Sequence, residues 1–357
     1  MKKRVLSALL ALALLLCVPL TLNSCGGGDA DVHVFYYTYS DTYVSSVRAS
    51  LDKTLDAAGI SYQDYDGNGN QTTQTEQIRT AITKGARAIL VNIVNTGSDD
   101  AAKEIVGLAR DAGIPLIFFN REVTDEVVKS YDQCAFVGTR SEEAGILQGE
   151  MIGEYLLANY SKTDLNGDGV ISYILFKGEE GNNEAILRTR YSVEIANQML
   201  SDAGKRPLRF YDASNGNKYL VDQNGQWSAS AANEYMTTAL ASHSQSNGNM
   251  IELVICNNDS MAEGAISALN ASGYNNGGSS TAIPVFGVDA IESAKTLIQS
   301  GKMSGTIRQD ADGMASALAL LAQNALDESK ALMDGTENME LDENVRKIRI
   351  PYAKYVG

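Results

Sequence analysis

Short, nearly unbroken apolar runs alternate with amphipathic stretches along most of the chain. Residues 32–37 form the first run, and a helical pattern covers 41–58. Residues 75–86 read as a helix and 88–93 as a strand; 100–112 then read as a helix and 115–119 as a strand. Near residue 140 the alternation restarts. Helical patterns at 142–160, 184–203, 229–242 and 261–272 are interleaved with apolar runs at 170–176, 208–211, 251–256 and 283–288. Continuous apolar strands between amphipathic helices predict parallel sheets covered on both faces. So long a chain exceeds one core of this type, and two doubly wound α/β lobes are expected. Ligands of such lobes bind at the carboxyl ends of the strands, which places a site between the two. Residues 213–226 are polar and turn-rich and read as a surface insertion.

The first residues change the picture of where these lobes work. Met1-Lys2-Lys3-Arg4 is basic, 5–22 is almost wholly apolar, and Leu22-Asn23-Ser24-Cys25 follows. This is the pattern of an export signal over 1–24, set aside from fold reasoning. The tetrapeptide resembles a bacterial lipobox, which makes Cys25 the lipidated first residue of the mature chain. The glycines of 25–30 then form a tether to an extracytoplasmic membrane surface. Net charge is −15 and becomes three units more negative once Lys2, Lys3 and Arg4 leave. Such a surface disfavours nucleic acid and anionic membrane faces as partners.

Cys17 leaves with the signal, and Cys134 and Cys256 sit in apolar runs, as buried free thiols do. With two histidines and no CxxC spacing, zinc has no candidate site. Calcium does. Asp164, Asn166 and Asp168 occupy positions 1, 3 and 5 of a calcium loop, and Gly169 supplies the turn at position 6. The Val170 carbonyl and Ser172 fall at positions 7 and 9. Position 12 is Leu175, so the bidentate carboxylate must arrive from a distant part of the chain. The alternative is an Asx/Gly turn that binds nothing.

Polar residues recur just after the apolar runs: Asp41 and Tyr43, Asn120, Asn257-Asn258-Asp259 and Asp289. Arg188 lies early in a helix, and the single Trp, Trp227, precedes another. Each Asp or Asn alone is explained by helix capping. The whole set, with an aromatic residue in polar surroundings, favours an uncharged polar ligand that offers hydroxyl pairs and a C–H face.

At these residues the chain resembles the periplasmic galactose/glucose-binding protein family. The resemblance is carried by Tyr37-x-Tyr39-x-Asp41-x-Tyr43, Val47-Arg48, Phe118-Phe119-Asn120-Arg121-Glu122, Val137-Gly138-Thr139, the 164–172 loop, Asn257-Asn258-Asp259-x-Met261-Ala262 and Pro284-Val285-Phe286-Gly287-Val288-Asp289-Ala290. It implies a type I periplasmic-binding-protein fold: two Rossmann-like lobes joined by a three-strand hinge. Residues 31–139 and 309–344 would form one lobe, and 140–308 and 345–357 the other. It implies Tyr43 and Trp227 against the two faces of a sugar. Polar contacts would come from Tyr37, Asp41, Asn120, Arg188, Asn258 and Asp289. Asn182, Glu184 and Gln309 would line the pocket where the family has His, Asp and Asn, and Tyr43 replaces a Phe. Calcium would be structural, with Glu252 completing Asp164, Asn166, Asp168, Val170 and Ser172, or a water in place of Ser172. The implied function is a lipid-anchored monosaccharide receptor, most simply for glucose or galactose, delivering sugar to an ABC importer's membrane permease. Presentation of sugar to a chemoreceptor or membrane kinase, or capture of another pyranose or a pentose, is the alternative.

Enzyme chemistry finds no GxSxG elbow, P-loop or HExxH in the chain. A sugar-responsive transcription factor would need a basic helix-turn-helix where the export signal stands.

Overall fold

The computed structural model describes residues 30–357; the expected signal, Cys25 and almost all of the tether lie outside them. Two seven-stranded sheets organise the chain. The first is laid down as β1 (Val32–Tyr36), α1 (Thr42–Ala58), β2 (Tyr62–Asp66), α2 (Gln71–Thr83), β3 (Ala88–Val91), α3 (Asp100–Ala112), β4 (Leu116–Phe119), α4 (Asp125–Lys129) and β5 (Cys134–Gly138). The second takes α5 (Ser141–Thr163), β6 (Ser172–Lys177), α6 (Asn183–Asp202), β7 (Arg209–Phe210), β8 (Leu220–Val221), α7 (Ala229–Leu240), β9 (Leu253–Cys256), α8 (Asp259–Ala271), β10 (Val285–Asp289), α9 (Glu292–Gln299) and β11 (Gly305–Arg308). The chain then returns through α10 (Ala311–Leu326), β12 (Glu340–Leu341) and β13 (Lys347–Arg349), and finishes in β14 (Ala353–Tyr355).

The strand order is β12-β13-β5-β4-β3-β1-β2 in one sheet and β14-β11-β10-β9-β6-β7 in the other, with β8 also on β6. All pairings are parallel except β12 on β13 and β14 on β11. Apolar side chains fill both faces of each sheet. In the first, Val34 and Tyr36 face α1 and α10, while Phe35 and Ile89 face α2 and α3. In the second, Ile174 and Val254 face α7 and α8, while Leu175 and Ile255 face α5 and α6. This is the burial that unbroken apolar runs require. Helix ends follow local chemistry. Asp41 caps α1 by accepting from the Val44 N–H, and Gly59 ends it in the left-handed region at φ 68°.

Three segments cross between the sheets, at 139–140, 309–310 and 350–352. The last comes later than expected, because 345–349 belongs to the first sheet. β13 pairs with β5, Ile348 enters the first core, and Lys347 and Arg349 reach Glu122 at 2.9 and 2.7 Å. Only β14 beyond it joins the second sheet. The 213–226 stretch is likewise more than a surface insertion. Its β8 extends the second sheet, pairing Leu220 with Phe176 and Val221 with Lys177.

Candidate functional site

Nearly every polar residue of the cleft sits where a strand ends or a helix begins. Tyr37 follows β1, Asn120 and Arg121 follow β4, Asp289 ends β10 and Gln309 follows β11. Asp41, Asn182 and Asn258 are the N-caps of α1, α6 and α8, and Tyr43, Glu184 and Arg188 lie in the first two turns of α1 and α6. Trp227 immediately precedes Ser228, the N-cap of α7. Parallel strands all deliver their carboxyl ends to one edge, so the two sheets face each other across these residues.

One cavity with an empty volume of about 370 Å3 lies there. Its lining brings together Tyr37, Asp41, Tyr43, Asn120, Asn182, Glu184, Arg188, Trp227, Asn258, Asp289 and Gln309, and adds Arg121. The sequence motif contains Arg121 without marking it as a lining residue. The overlooked signal was an Arg directly after a strand end, with Glu179 in the matching place after β6. The two meet across the lobes at 2.8 Å, and the Arg121 guanidinium lies 4.3 Å from the centre of the Tyr37 ring.

The capping side chains keep the role that local chemistry assigned them. Asp41 accepts from the Val44 N–H at 2.8 Å and from the Tyr37 hydroxyl at 2.6 Å. Asn182 and Asn258 accept from Ala185 and Met261 N–H groups, both at 2.9 Å. Other atoms are left over. Arg121 Nε, Arg188 Nε and Glu184 Oε2 are buried without a hydrogen-bond partner. Asp289 approaches Arg188 only to 3.9 Å. Burying such groups unpaired costs about 1–3 kcal/mol each, more for charged ones, so the cavity is built to receive donors and acceptors from elsewhere.

Charge in the cavity is arranged around Arg188. Burial would lower its pKa, but Tyr352, Asp289 and Glu184 outweigh that and keep it firmly cationic. Burial pushes the Asp289 carboxyl well above its usual range despite Arg188, and raises Glu184 too. Trp227 is buried with φ 55°, and its ring lies so close to Gly178 that a Cβ there would fall inside it. The turn is held by Asp222, which accepts from Ser228 N and Oγ at 3.0 and 2.7 Å. The 213–226 segment thus seats the Trp. Asp289 and Ala290 are also left-handed, at φ 118° and 58°. Asp259 supports that turn, accepting from the Ile291 N–H at 3.0 Å and the Thr306 hydroxyl at 2.6 Å.

The 164–172 loop lies away from the cavity, at the start of β6. Gly167 and Gly169 are both left-handed. Asn166 and Asp168 side chains accept from N–H groups two residues on, and Asp164 Oδ2 accepts from Gly169 N at 2.9 Å. Glu252 reaches the loop as expected, but its oxygens accept from the N–H groups of Leu165 (2.8 Å) and Ser172 (2.9 Å). Ser172 Oγ donates to the Met250 carbonyl at 2.7 Å. Two cations also press on the loop. Arg209 pairs with Asp168 at 2.8 Å, and Arg206 donates to the Asp168 and Gly169 carbonyls. Arg209 holds the Asp168 carboxyl below its usual range through that hydrogen bond. Among the described residues no three acidic, His or Cys side chains are gathered as a metal cluster. One buried loop oxygen, Asp164 Oδ1, has no partner. The oxygens suit a hard cation in kind, with Asp164 the one left open.

A model of the periplasmic binding protein domain matches residues 32–330. The chain is 33% identical to the D-galactose/methyl-galactoside binding periplasmic protein MglB of Haemophilus influenzae, over 91% of this chain and 89% of that one. An ABC transporter solute binding protein from Bacillus halodurans, solved with myo-inositol, superposes with a TM-score of 0.68 at 25% identity, covering 93% and 96% of the two chains. One from Clostridium phytofermentans, solved with β-D-glucose, gives 0.71 at 20% identity over 90% and 93%. Two sheets facing a shared cleft, and a family model covering most of the chain, lead to one conclusion: this protein belongs to the periplasmic binding protein family, whose members are solute receptors and not enzymes.

Proposed function

We propose that the chain is the extracytoplasmic receptor of a sugar ABC importer. It binds one monosaccharide, with glucose and galactose foremost, and passes it unaltered to the membrane permease. The observation that carries this is the set of buried, unpartnered atoms in the cavity. Two guanidinium N–H donors and a carboxyl oxygen are left without partners on residues that line a space bordered by aromatic residues of both lobes. A sugar hydroxyl both donates and accepts, so adjacent hydroxyls answer such a mixed set, while ring C–H faces suit Tyr43 and Trp227. The galactose named for the Haemophilus relative supports the same class. The myo-inositol and glucose in the two solved structures make polyol rings the natural test panel. Anchoring through lipidated Cys25 would keep the receptor beside its permease.

A panel of aldohexoses, pentoses and inositols, read by melting temperature and Trp fluorescence, tests the ligand. At least one sugar should raise the melting temperature, change the emission of Trp227 and be recovered intact. No response from any sugar overturns the assignment. Cys25→Ser should release the protein from membranes or leave it unprocessed; normal attachment in that variant overturns the anchor.

The 164–172 loop is proposed to take calcium in a structural role. Asp164, Asn166, Asp168, the Val170 carbonyl and Glu252 would hold it, with water in place of Ser172. The ion would tie the loop to the strand that follows Glu252.

A further inference from the structure

One guanidinium touches, directly or through one hydroxyl, every segment that crosses between the lobes. Arg188 Nη2 donates to Tyr352 Oη at 2.9 Å, in the 350–352 crossing. It also donates to Gln309 Oε1 at 3.3 Å, in the 309–310 crossing. Thr139, in the 139–140 crossing, donates its hydroxyl to the same Tyr352 Oη at 3.0 Å. Arg188 Nη1 is fixed on the Asn257 carbonyl at 2.8 Å, just beyond β9. Nε is left buried and unpartnered on a residue that lines the cavity. A guanidinium is planar and rigid, so a ligand that engages Nε also fixes the direction of both Nη groups.

Tyr352 is not part of the cavity lining, although it is buried and packs in the second core. Its hydroxyl joins an arginine of the second lobe to a threonine at the end of the first. A hinge rotation about the three crossings would move these groups relative to one another, because each stands on a different segment. We propose that Tyr352 is a positioning residue that couples occupancy of the cavity to closure of the lobes. It acts through Arg188 Nη2 and does not touch ligand. The coupling rests on the reading of the cavity as a sugar site.

The test uses the mature chain with D-glucose and D-galactose, and reads two quantities. One is affinity with its dissociation rate; the other is the contraction in radius of gyration on saturation, from solution X-ray scattering. Tyr352→Phe removes one oxygen from a charge-assisted contact. It should weaken binding by about tenfold, chiefly through faster dissociation, and reduce the contraction. Thr139→Val should act in the same direction with a smaller effect. The double variant should be little worse than Tyr352→Phe alone, since both act through one hydroxyl. A Tyr352→Phe protein that melts lower but binds and contracts like wild type makes Tyr352 merely structural and overturns the coupling. The two failures separate. Wild type that binds neither these sugars nor any other overturns the sugar reading and the coupling with it. Wild type that binds and contracts, beside a variant that does so equally, overturns the coupling alone.

Discussion

The cleft and the 164–172 loop are made of the same residue types and put them to opposite use. Both are rich in Asp, Asn and Glu at chain reversals. In the loop nearly all of those oxygens are turned back on the loop's own N–H groups or on Arg206 and Arg209, and Asp164 Oδ1 alone is open. In the cleft the caps are used up in the same way, but Arg121, Arg188 and Glu184 each keep a buried atom without a partner. Residue identity nominates both regions equally. By this count the cleft lining keeps three buried atoms without a partner and the loop one.

The largest effect should come from the centre of the cleft. Arg188→Met keeps the bulk and removes the cation that faces Asp289 and Glu184. Losing one member of a buried charge set costs about 3–5 kcal/mol of folding stability, so the melting temperature is read beside affinity; the ligand loses the guanidinium as well. Sugar affinity should fall by more than about a hundredfold, measured by calorimetry. A loss under about threefold would erase the contrast, making the cleft's polar atoms as structural as those of the loop.

The loop is tested by metal. An ion held at about a thousand times its dissociation constant adds about 4 kcal/mol to folding. Chelation should therefore lower the melting temperature by several degrees while changing sugar affinity little, and calcium should restore it. Glu252→Gln should blunt the response. Arg209→Met frees the Asp168 carboxylate and should strengthen it. A stripped protein that melts identically with and without calcium would leave the loop as a turn closed by its own N–H groups and two arginines.

Trp227→Ala should weaken binding by about 1–3 kcal/mol, from lost burial and stacking. It removes the fluorophore too, so calorimetry is again the measurement. Unchanged affinity would remove the ring from the ligand's path and weaken the case that the cleft is shaped for a sugar face.

Strand and helix alternation was legible where fully buried parallel strands leave no polar positions to blur them, as in Leu116–Phe119; the parallel strand β2, Tyr-Gln-Asp-Tyr-Asp, is only partly buried and escaped for that reason. The cleft residues were legible because strand ends and N-caps are marked by Asn and Asp, and because the motifs resemble a family. Arg121 escaped because its partner, Glu179, is distant in sequence and belongs to the other lobe. The late third crossing escaped for a similar reason. Lys347 and Arg349 look like a charged surface segment, yet both are buried and paired with Glu122, which follows β4. The 213–226 segment reads as loop because β8 is two residues long, too short for any period to show. In the 164–172 loop the sequence displays the oxygens but not their competing donors, Arg206 and Arg209.

The smallest cost predicted for a substitution concerns Asp259, which stands between the two regions in character. It lies under the cleft and is fully spent, on Thr306 and the Ile291 N–H, so it resembles the loop; but what it holds is the left-handed Asp289–Ala290 turn of the cleft. Burial pushes its carboxyl from 3.8 up to about 7, against the pull of the Thr306 hydrogen bond. The native state therefore keeps a proton that the unfolded chain has already released. Between those two values the unfolded state binds fewer protons, so this group's contribution to stability falls as pH rises from about 4 to about 7, and is level above that. Asp259→Asn carries no titrating proton and keeps one oxygen to accept with. It should cost about 1 kcal/mol below the window, for the hydrogen bond lost. It should flatten the decline in urea midpoint across the window, so that the variant gains on wild type as pH rises. Parallel profiles for the two proteins would show that the carboxyl is already ionised in the native state. The turn beneath Asp289 would then rest on a buried carboxylate.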